Sequence, residues 1–150
     1  MDAQVIVVGG GPAGSATATH LARAGHDVLL LDRARFPRDK ACAEYLSPAT
    51  ADALARLGAL AAVEARGPQR PLGMHLIGRG GSRALVRYPD GGSSRRALCL
   101  SRRVLDATLL EHAREAGVRV LEGQQVRGAM SRRPGSARGP AGRSARSACT

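Results

Sequence analysis

The first pattern along the chain is an unbroken apolar run, Val5, Ile6, Val7 and Val8, followed at once by glycines. Consecutive β-branched residues without polar alternation read as a parallel strand buried on both faces. Helical spacing then takes over across residues 15–24, and Gly25 is placed to stop that helix in a left-handed conformation. A second apolar strand, residues 27–31, ends on Asp32. Strand, turn, helix and strand compose a βαβ unit.

Residues 32–46 are too polar for a core strand, and their one aromatic residue, Phe36, precedes a proline, so they read as an extended surface loop. Ser47 then caps a helix with Pro48 at its first position, Ala53, Leu54 and Leu57 on its apolar face, and Gly58 at its end. A short helix over residues 60–65 follows. From Gly67 the composition changes: residues 67–71 form a connector, and residues 74–77, 84–88 and 97–100 read as strands of a small antiparallel sheet. Ser101 caps an amphipathic helix carrying Val104, Leu105, Thr108, Leu109, His112 and Ala113, which Gly117 closes before a strand at residues 118–121. The expected fold is α/β: a Rossmann-like βαβ unit with a partial antiparallel insertion at residues 67–100 that begins a second, substrate-side domain.

The turn after the first strand carries the chemistry. Gly9, Gly11 and Gly14 stand at G-x-G-x-x-G spacing, after a strand and at the opening of a helix. Gly9 allows the tight turn, Gly11 lets backbone approach a pyrophosphate, and Gly14, with Ala18 one turn on, lets the helix pack close to the strand. The helix N-terminus offers free N–H groups to phosphate, and Pro12 gives up no needed donor there. Asp32, eighteen residues beyond Gly14, stands where a carboxylate accepts hydrogen bonds from the hydroxyls of an adenosine ribose. Dinucleotide binding is the reading these features share.

Charge changes this picture little. The formal net charge is +11, but Lys40 is the only lysine, and arginine-heavy usage beside abundant Ala and Gly is the pattern GC-rich coding can produce without selection for a polyanionic partner. Six arginines and no acid lie in residues 127–150. With no Trp, one Phe and two Tyr, the chain lacks the stacking groups of a nucleic-acid surface. Cys42, Cys99 and Cys149 are widely spaced and odd in number, which suggests neither a disulfide framework nor a zinc site. His20, His26, His75 and His112 show no ligand or triad spacing and read as structural or surface residues. No apolar run is long enough to span a membrane and no leader pattern precedes the first strand, so a cytoplasmic protein is expected. Residues 131–150 contain no Leu, Ile, Val or aromatic residue, so residues 128–150 are expected to be a disordered basic tail behind a folded unit at residues 1–127.

Three blocks in order, VIVVGGGPAGSATATHLARAGHDVLLLDR, FPRDKACAEYLSP and SRRVLDATLLEHAREAGVRVLEGQQV, resemble the N-terminal part of FAD-dependent oxidoreductases of the geranylgeranyl reductase-like and aromatic-hydroxylase-like flavoprotein monooxygenase superfamily. The resemblance implies that Gly9, Gly11, Ala13 and Gly14 hold the FAD pyrophosphate, Asp32 the ribose, and Arg33 the adenine end. It also implies that Arg102, or its neighbour Arg103, approaches the cofactor and that the Val126 backbone faces adenine. Lys40 and Cys42 match a loop near the flavin, with Ala43 where the family often has glycine. Physics of the βαβ unit alone permits NAD; the downstream blocks favour FAD. The implied parent uses FAD, with NAD(P)H as electron donor, to reduce or hydroxylate an apolar small molecule, and no catalytic acid, base or nucleophile is assigned here. The family's later Gly-Asp segment is absent, so the chain is expected to be a truncated, catalytically incomplete fragment whose tail follows an interrupted reading frame. Two other readings stand beside it: a non-catalytic adenine-dinucleotide module, and a basic tail that binds nucleic acid.

Overall fold

A computed structural model describes residues 2–88 and 97–129 of the chain. In chain order its elements are β1 (Val5–Val8), α1 (Pro12–Arg23), β2 (Val28–Asp32), β3 (Tyr45–Leu46), α2 (Pro48–Leu57) and α3 (Leu60–Glu64). There follow β4 (Gly73–Ile77), β5 (Arg83–Arg87), β6 (Leu98–Cys99), α4 (Arg102–Glu115) and β7 (Arg119–Glu122). The tail expected to be disordered lies outside the described residues from residue 130 onward.

Parallel pairing organises the molecule. The main sheet has the order β1-β2-β7, with Val5 opposite Val28 and Leu29 opposite Arg119. Helices α1 and α4 cover one face, where Ala18, Val28, Leu30, Leu110, Ala113 and Val118 form a buried cluster with Val5, Val7, Phe36 and Val120 packed against it. A second cluster joins Leu54, Leu57 and Val63 of the α2–α3 region to Leu98, Leu105 and Leu109. Helix α4 therefore serves both cores, with Leu105 and Leu109 turned to one and Leu110 and Ala113 to the other.

Burial of β1 on both faces is not what the structure has: Ile6 is 55% and Val8 61% exposed. Both helices lie on the same side of the sheet, so the strand alternates in burial although its sequence does not. Helix α1 begins at Pro12, three residues earlier than predicted, which puts Gly14 inside its first turn. On α2 the buried residues are Ala51, Leu54 and Leu57, while Ala53 faces out.

The single small antiparallel sheet expected from residues 74–100 is two separate ladders. Strands β4 and β5 form a hairpin with Met74 opposite Val86, whereas β6 pairs with β3, Tyr45 opposite Cys99. Fully buried Leu98 draws β6 into the second core and away from the hairpin. The loop reading of residues 45–46 missed their pairing for the same reason: the partner lies over fifty residues on.

Candidate functional site

Three glycines after β1 do three different things. Gly9 has φ +104°, a left-handed value that side chains disfavour, and its N–H donates to the Leu31 carbonyl at 2.7 Å. A Cβ on Gly14 would overlap the Gly9 carbonyl oxygen and lie 3.0 Å from the Gly9 carbonyl carbon, so the α1–β1 approach requires glycine there. Gly11 is the N-cap of α1 with extended backbone. A Cβ on it would meet only Arg102 Nη2 at 3.6 Å and Arg38 Nη2 at 3.7 Å. The fold itself thus tolerates a side chain at Gly11, which leaves open backbone with two guanidinium groups above it.

Asp32 ends β2 with its carboxylate turned back to this turn and is 7% exposed. Oδ2 accepts from the Gly10 N–H at 2.6 Å and Oδ1 from the Ala34 N–H at 2.8 Å. An ionised carboxylate has about four acceptor positions, so a lone pair on each oxygen remains for ribose hydroxyls. Phe36 packs over the same turn, where a Cβ on Gly10 would come within 3.2 Å of its ring, and its N–H donates to Glu122 Oε2 at 3.0 Å. The loop after Asp32 is thereby pinned across the glycines.

The hollow between these parts, about 650 Å³, brings together Gly9, Gly11, Asp32, Arg33, Arg102 and Val126. Arg38, Asp39, Lys40, Gln124 and Gln125 complete its rim, so four cationic side chains oppose two carboxylates. Val126 reaches the hollow because the Gln124 N–H donates to the Asp32 carbonyl at 2.8 Å, continuing the chain beside β2. Of the residues named from the sequence, Ala13 and Gly14 do not line it. Both sit in the first turn of α1, Ala13 exposed and Gly14 against Gly9.

Sequence reasoning passed over Asp106 and Arg38. Asp106 is fully buried, and Arg102 grips it with Nε to Oδ1 at 2.7 Å and Nη2 to Oδ2 at 2.9 Å. Arg38 Nη1 stands 3.1 Å from Asp106 Oδ2. That separation makes an ion pair, but without hydrogen-bond alignment, since this buried nitrogen has no hydrogen-bond partner among the described residues. Arg102 is held protonated above its ordinary value, chiefly by the hydrogen bonds to Asp106. The Arg102 to Asp106 spacing was a readable signal of an i,i+4 pair; nothing in the sequence linked Arg38 to it.

Cys42 is exposed beside Arg102, at the mouth of a second, apolar hollow of about 490 Å³ lined by Pro12, Ala16, Leu46, Leu54 and Leu105 among others. The backbone N–H of Glu44, and then Arg102, hold its thiol below the ordinary value. Among the histidines, His112 ties α4 to α2 through the Leu57 carbonyl at 3.1 Å, while His20, His26 and His75 are exposed. Among the described residues no group of His, Cys, Asp and Glu could hold a metal, and no helix is long and apolar enough to cross a membrane.

A strand-turn-helix-strand unit with open backbone at Gly11, an acid at the end of β2 and cations around the turn defines a dinucleotide-binding fold. Residues 2–137 match the FAD binding domain model, and the chain belongs to that family, whose cofactor is FAD. The residues present fit that group: the turn leaves room for phosphate at Gly11, over which Arg102 Nη2 and Arg38 Nη2 stand. The menaquinone reductase of Mycolicibacterium smegmatis is 37% identical over 124 residues, 83% of this chain and 30% of that protein. The myxobacterial chondrochloren halogenase CndH superposes with a TM-score of 0.74 at 32% identity, over 81% of this chain and 28% of that one. The p-nitrophenol 4-monooxygenase PnpA from Pseudomonas putida gives 0.67 at 26% identity, over 79% and 31%. These relatives are FAD-dependent oxidoreductases of the aromatic-hydroxylase-like superfamily. The chain spans about 30% of the length of the curated menaquinone reductases it matches.

Proposed function

We propose that the chain is the FAD-holding part of a flavin-dependent oxidoreductase that reduces or hydroxylates an apolar small molecule in the cytoplasm, in the geranylgeranyl reductase-like branch. The observation that carries this reading is the meeting of Gly11 backbone, the Asp32 carboxylate and the Arg102 guanidinium in one hollow. Gly9, Gly11, Ala13 and Gly14 form the pyrophosphate turn, Asp32 accepts from the ribose, and Arg33 and the Val126 backbone flank the adenine. Arg102 neutralises phosphate at the far side of the turn. When bound, FAD supplies the electron transfer, with NAD(P)H as the donor of the complete enzyme; these residues orient it and balance its charge. The β4–β5 hairpin, exposed along both strands, begins the substrate-side sheet within residues 67–100. The 37% identity to a protein named menaquinone reductase supports an apolar, quinone-like substrate class.

An FAD titration of the 150-residue chain, followed by flavin fluorescence and by melting temperature, tests the reading. Saturable binding stabilises the fold by about 2.7 kcal/mol at a hundredfold excess over Kd, so the melting temperature rises with ligand concentration. Asp32→Asn, which exchanges one acceptor for an amide donor facing N–H groups, weakens binding. Saturable FAD binding that is indifferent to this change would remove the ribose assignment, and a folded chain that binds no FAD would remove the reading itself.

A further inference from the structure

We propose that the β4–β5 hairpin docks the protein on an anionic lipid bilayer, with Met74, Leu76 and Val86 entering the acyl boundary and Arg79, Arg83 and Arg87 meeting lipid phosphates. The surface lies outside the cofactor hollow. Only its purpose rests on the proposed function: an apolar, quinone-like substrate dissolves in a bilayer and is collected there.

Six of the nine large apolar side chains exposed among the described residues fall between positions 72 and 86, Leu72 and Ile77 being 62% and 68% exposed. So dense a patch marks a contact surface rather than scattered surface residues. It is also ordered by the ladder. Met74 stands opposite Val86 and Leu76 opposite Ala84, so by strand alternation these four share one face and leave it wholly apolar. The other face pairs Ile77 with Arg83 and His75 with Leu85, and places Arg87 opposite Gly73. The ribbon has two strands, with both outer edges unpaired among the described residues. Its tip is a tight turn, closed by the Gly78 N–H to the Ser82 carbonyl at 2.8 Å, and carries Arg79.

Charge selects the occupant. No acid occurs between Glu64 and Asp90, whereas arginine stands at 66, 70, 79, 83 and 87. Apolar side chains beside cations, with no carboxylate among them, match an interface of acyl chains beneath anionic headgroups. The long stems of Arg83 and Arg87 can lie along the ribbon while their guanidinium groups reach headgroup level. A second copy fits worse, because two hairpins face to face bring six arginines together without an acid in either ribbon. Residues 130–150 fit worse still: they hold no Leu, Ile, Val or aromatic side chain and add further arginines. The base of the arm is tied to the body, since Tyr88 beyond β5 shares its hydroxyl contact with Tyr45 of β3.

The chain has no tryptophan, so Leu76→Trp in the full 150-residue chain reports on the hairpin alone. Vesicles of mixed phosphatidylglycerol and phosphatidylcholine should shift its emission to the blue, and brominated acyl chains should quench it. Ile6→Trp, on the exposed face of β1, should do neither. In vesicle sedimentation, Arg83→Gln with Arg87→Gln should lower partitioning about 25-fold, at about fivefold per arginine. Leu76→Ser should lower it about tenfold, and added salt should weaken binding throughout. These positions are exposed, and circular dichroism checks that each variant folds. An unshifted Leu76→Trp overturns the proposal, as does a shift that follows protein concentration without lipid, which would mean a second copy. Sedimentation that the hairpin variants leave unchanged but Arg143→Gln with Arg146→Gln abolishes would assign the binding to the basic tail and overturn it too. FAD titration of the same chains is read separately: a chain that takes up FAD but ignores vesicles overturns the docking alone. A folded chain that docks but takes up no FAD upholds the docking and overturns the FAD-holding reading.

Discussion

Replacing Gly14 by alanine separates a glycine kept by the fold from one kept for a ligand. The added methyl would overlap the Gly9 carbonyl oxygen, with the carbonyl carbon at 3.0 Å and Val7 Cγ1 at 3.5 Å. The obstacle is backbone, fixed by the Gly9 N–H bond to Leu31, so α1 must shift off the turn rather than a side chain turn aside. Such overpacking costs about 1–3 kcal/mol, and more where nothing yields. Alanine returns about 1 kcal/mol of helix propensity, since Gly14 lies in the first turn of α1. The net loss is about 2 kcal/mol, a fall in melting temperature of about 6–10 °C for a domain of this size. Gly11→Ala meets only ordinary contacts in the free protein and costs at most about 1 kcal/mol as an N-cap change. Its methyl nevertheless stands between the Arg102 and Arg38 guanidinium groups, so it lowers FAD affinity. Melting curves of both variants without ligand, followed by FAD titration of Gly11→Ala, decide the matter. A Gly14→Ala chain that melts at or above the wild type would refute the reasoning, as would one more stable than Gly11→Ala.

Tyr45 and Tyr88, the only two tyrosines, share a 2.5 Å hydroxyl contact that pushes the Tyr45 phenol up to about 12 from its ordinary 10.0. A raised folded-state value stabilises the protein below the ordinary tyrosine range, and that contribution disappears as pH rises from about 10 to about 12. Phenolate absorbance should therefore titrate late, and in Tyr88→Phe the remaining Tyr45 should titrate earlier; an unmoved midpoint contradicts the pairing. Cys42 should react with iodoacetamide below the usual thiol pH range, with the midpoint moving up in Arg102→Gln; site-resolved mass spectrometry reads this, and an unchanged profile excludes Arg102 as a cause. Exposed Ile6 and Val8 should bind an apolar dye, and the double change Ile6→Thr, Val8→Thr should reduce the dye signal while moving the melting temperature by less than about 3 °C. A larger fall would mean that these side chains are covered.

The βαβ unit was legible because local signals agreed. Strand, glycine spacing, Gly25 with φ +88° and terminal Asp32 each stand where the sequence put them. Helix α4 was legible from its spacing, and Ser101 does cap it, accepting from the Val104 N–H at 3.4 Å. Ser47 occupies the predicted cap position of α2, yet its hydroxyl meets Thr50 Oγ1 at 3.1 Å instead of backbone. What stayed hidden depended on distant partners. An apolar run cannot state which face of β1 a helix will cover, and two-residue strands such as β3 and β6 have no periodicity to read. At the site, Asp32 was found by its spacing from Gly14, but its hydrogen bonds to Gly10 and Ala34 follow from the fold. Arg38 looked like one more arginine in an arginine-rich loop; only the packing of α4 brings Asp106 to it.

The most direct measurement is a heteronuclear NMR titration of the isotope-labelled chain with ADP, which maps the ligand onto the backbone residue by residue. The account predicts saturable shifts at the Gly10, Gly11, Ala13 and Gly14 amides, at Arg33 and at Gln124 to Val126, with little change along α2. Shifts centred on the apolar hollow beside α2, or none at the glycine turn of a folded chain, would contradict it.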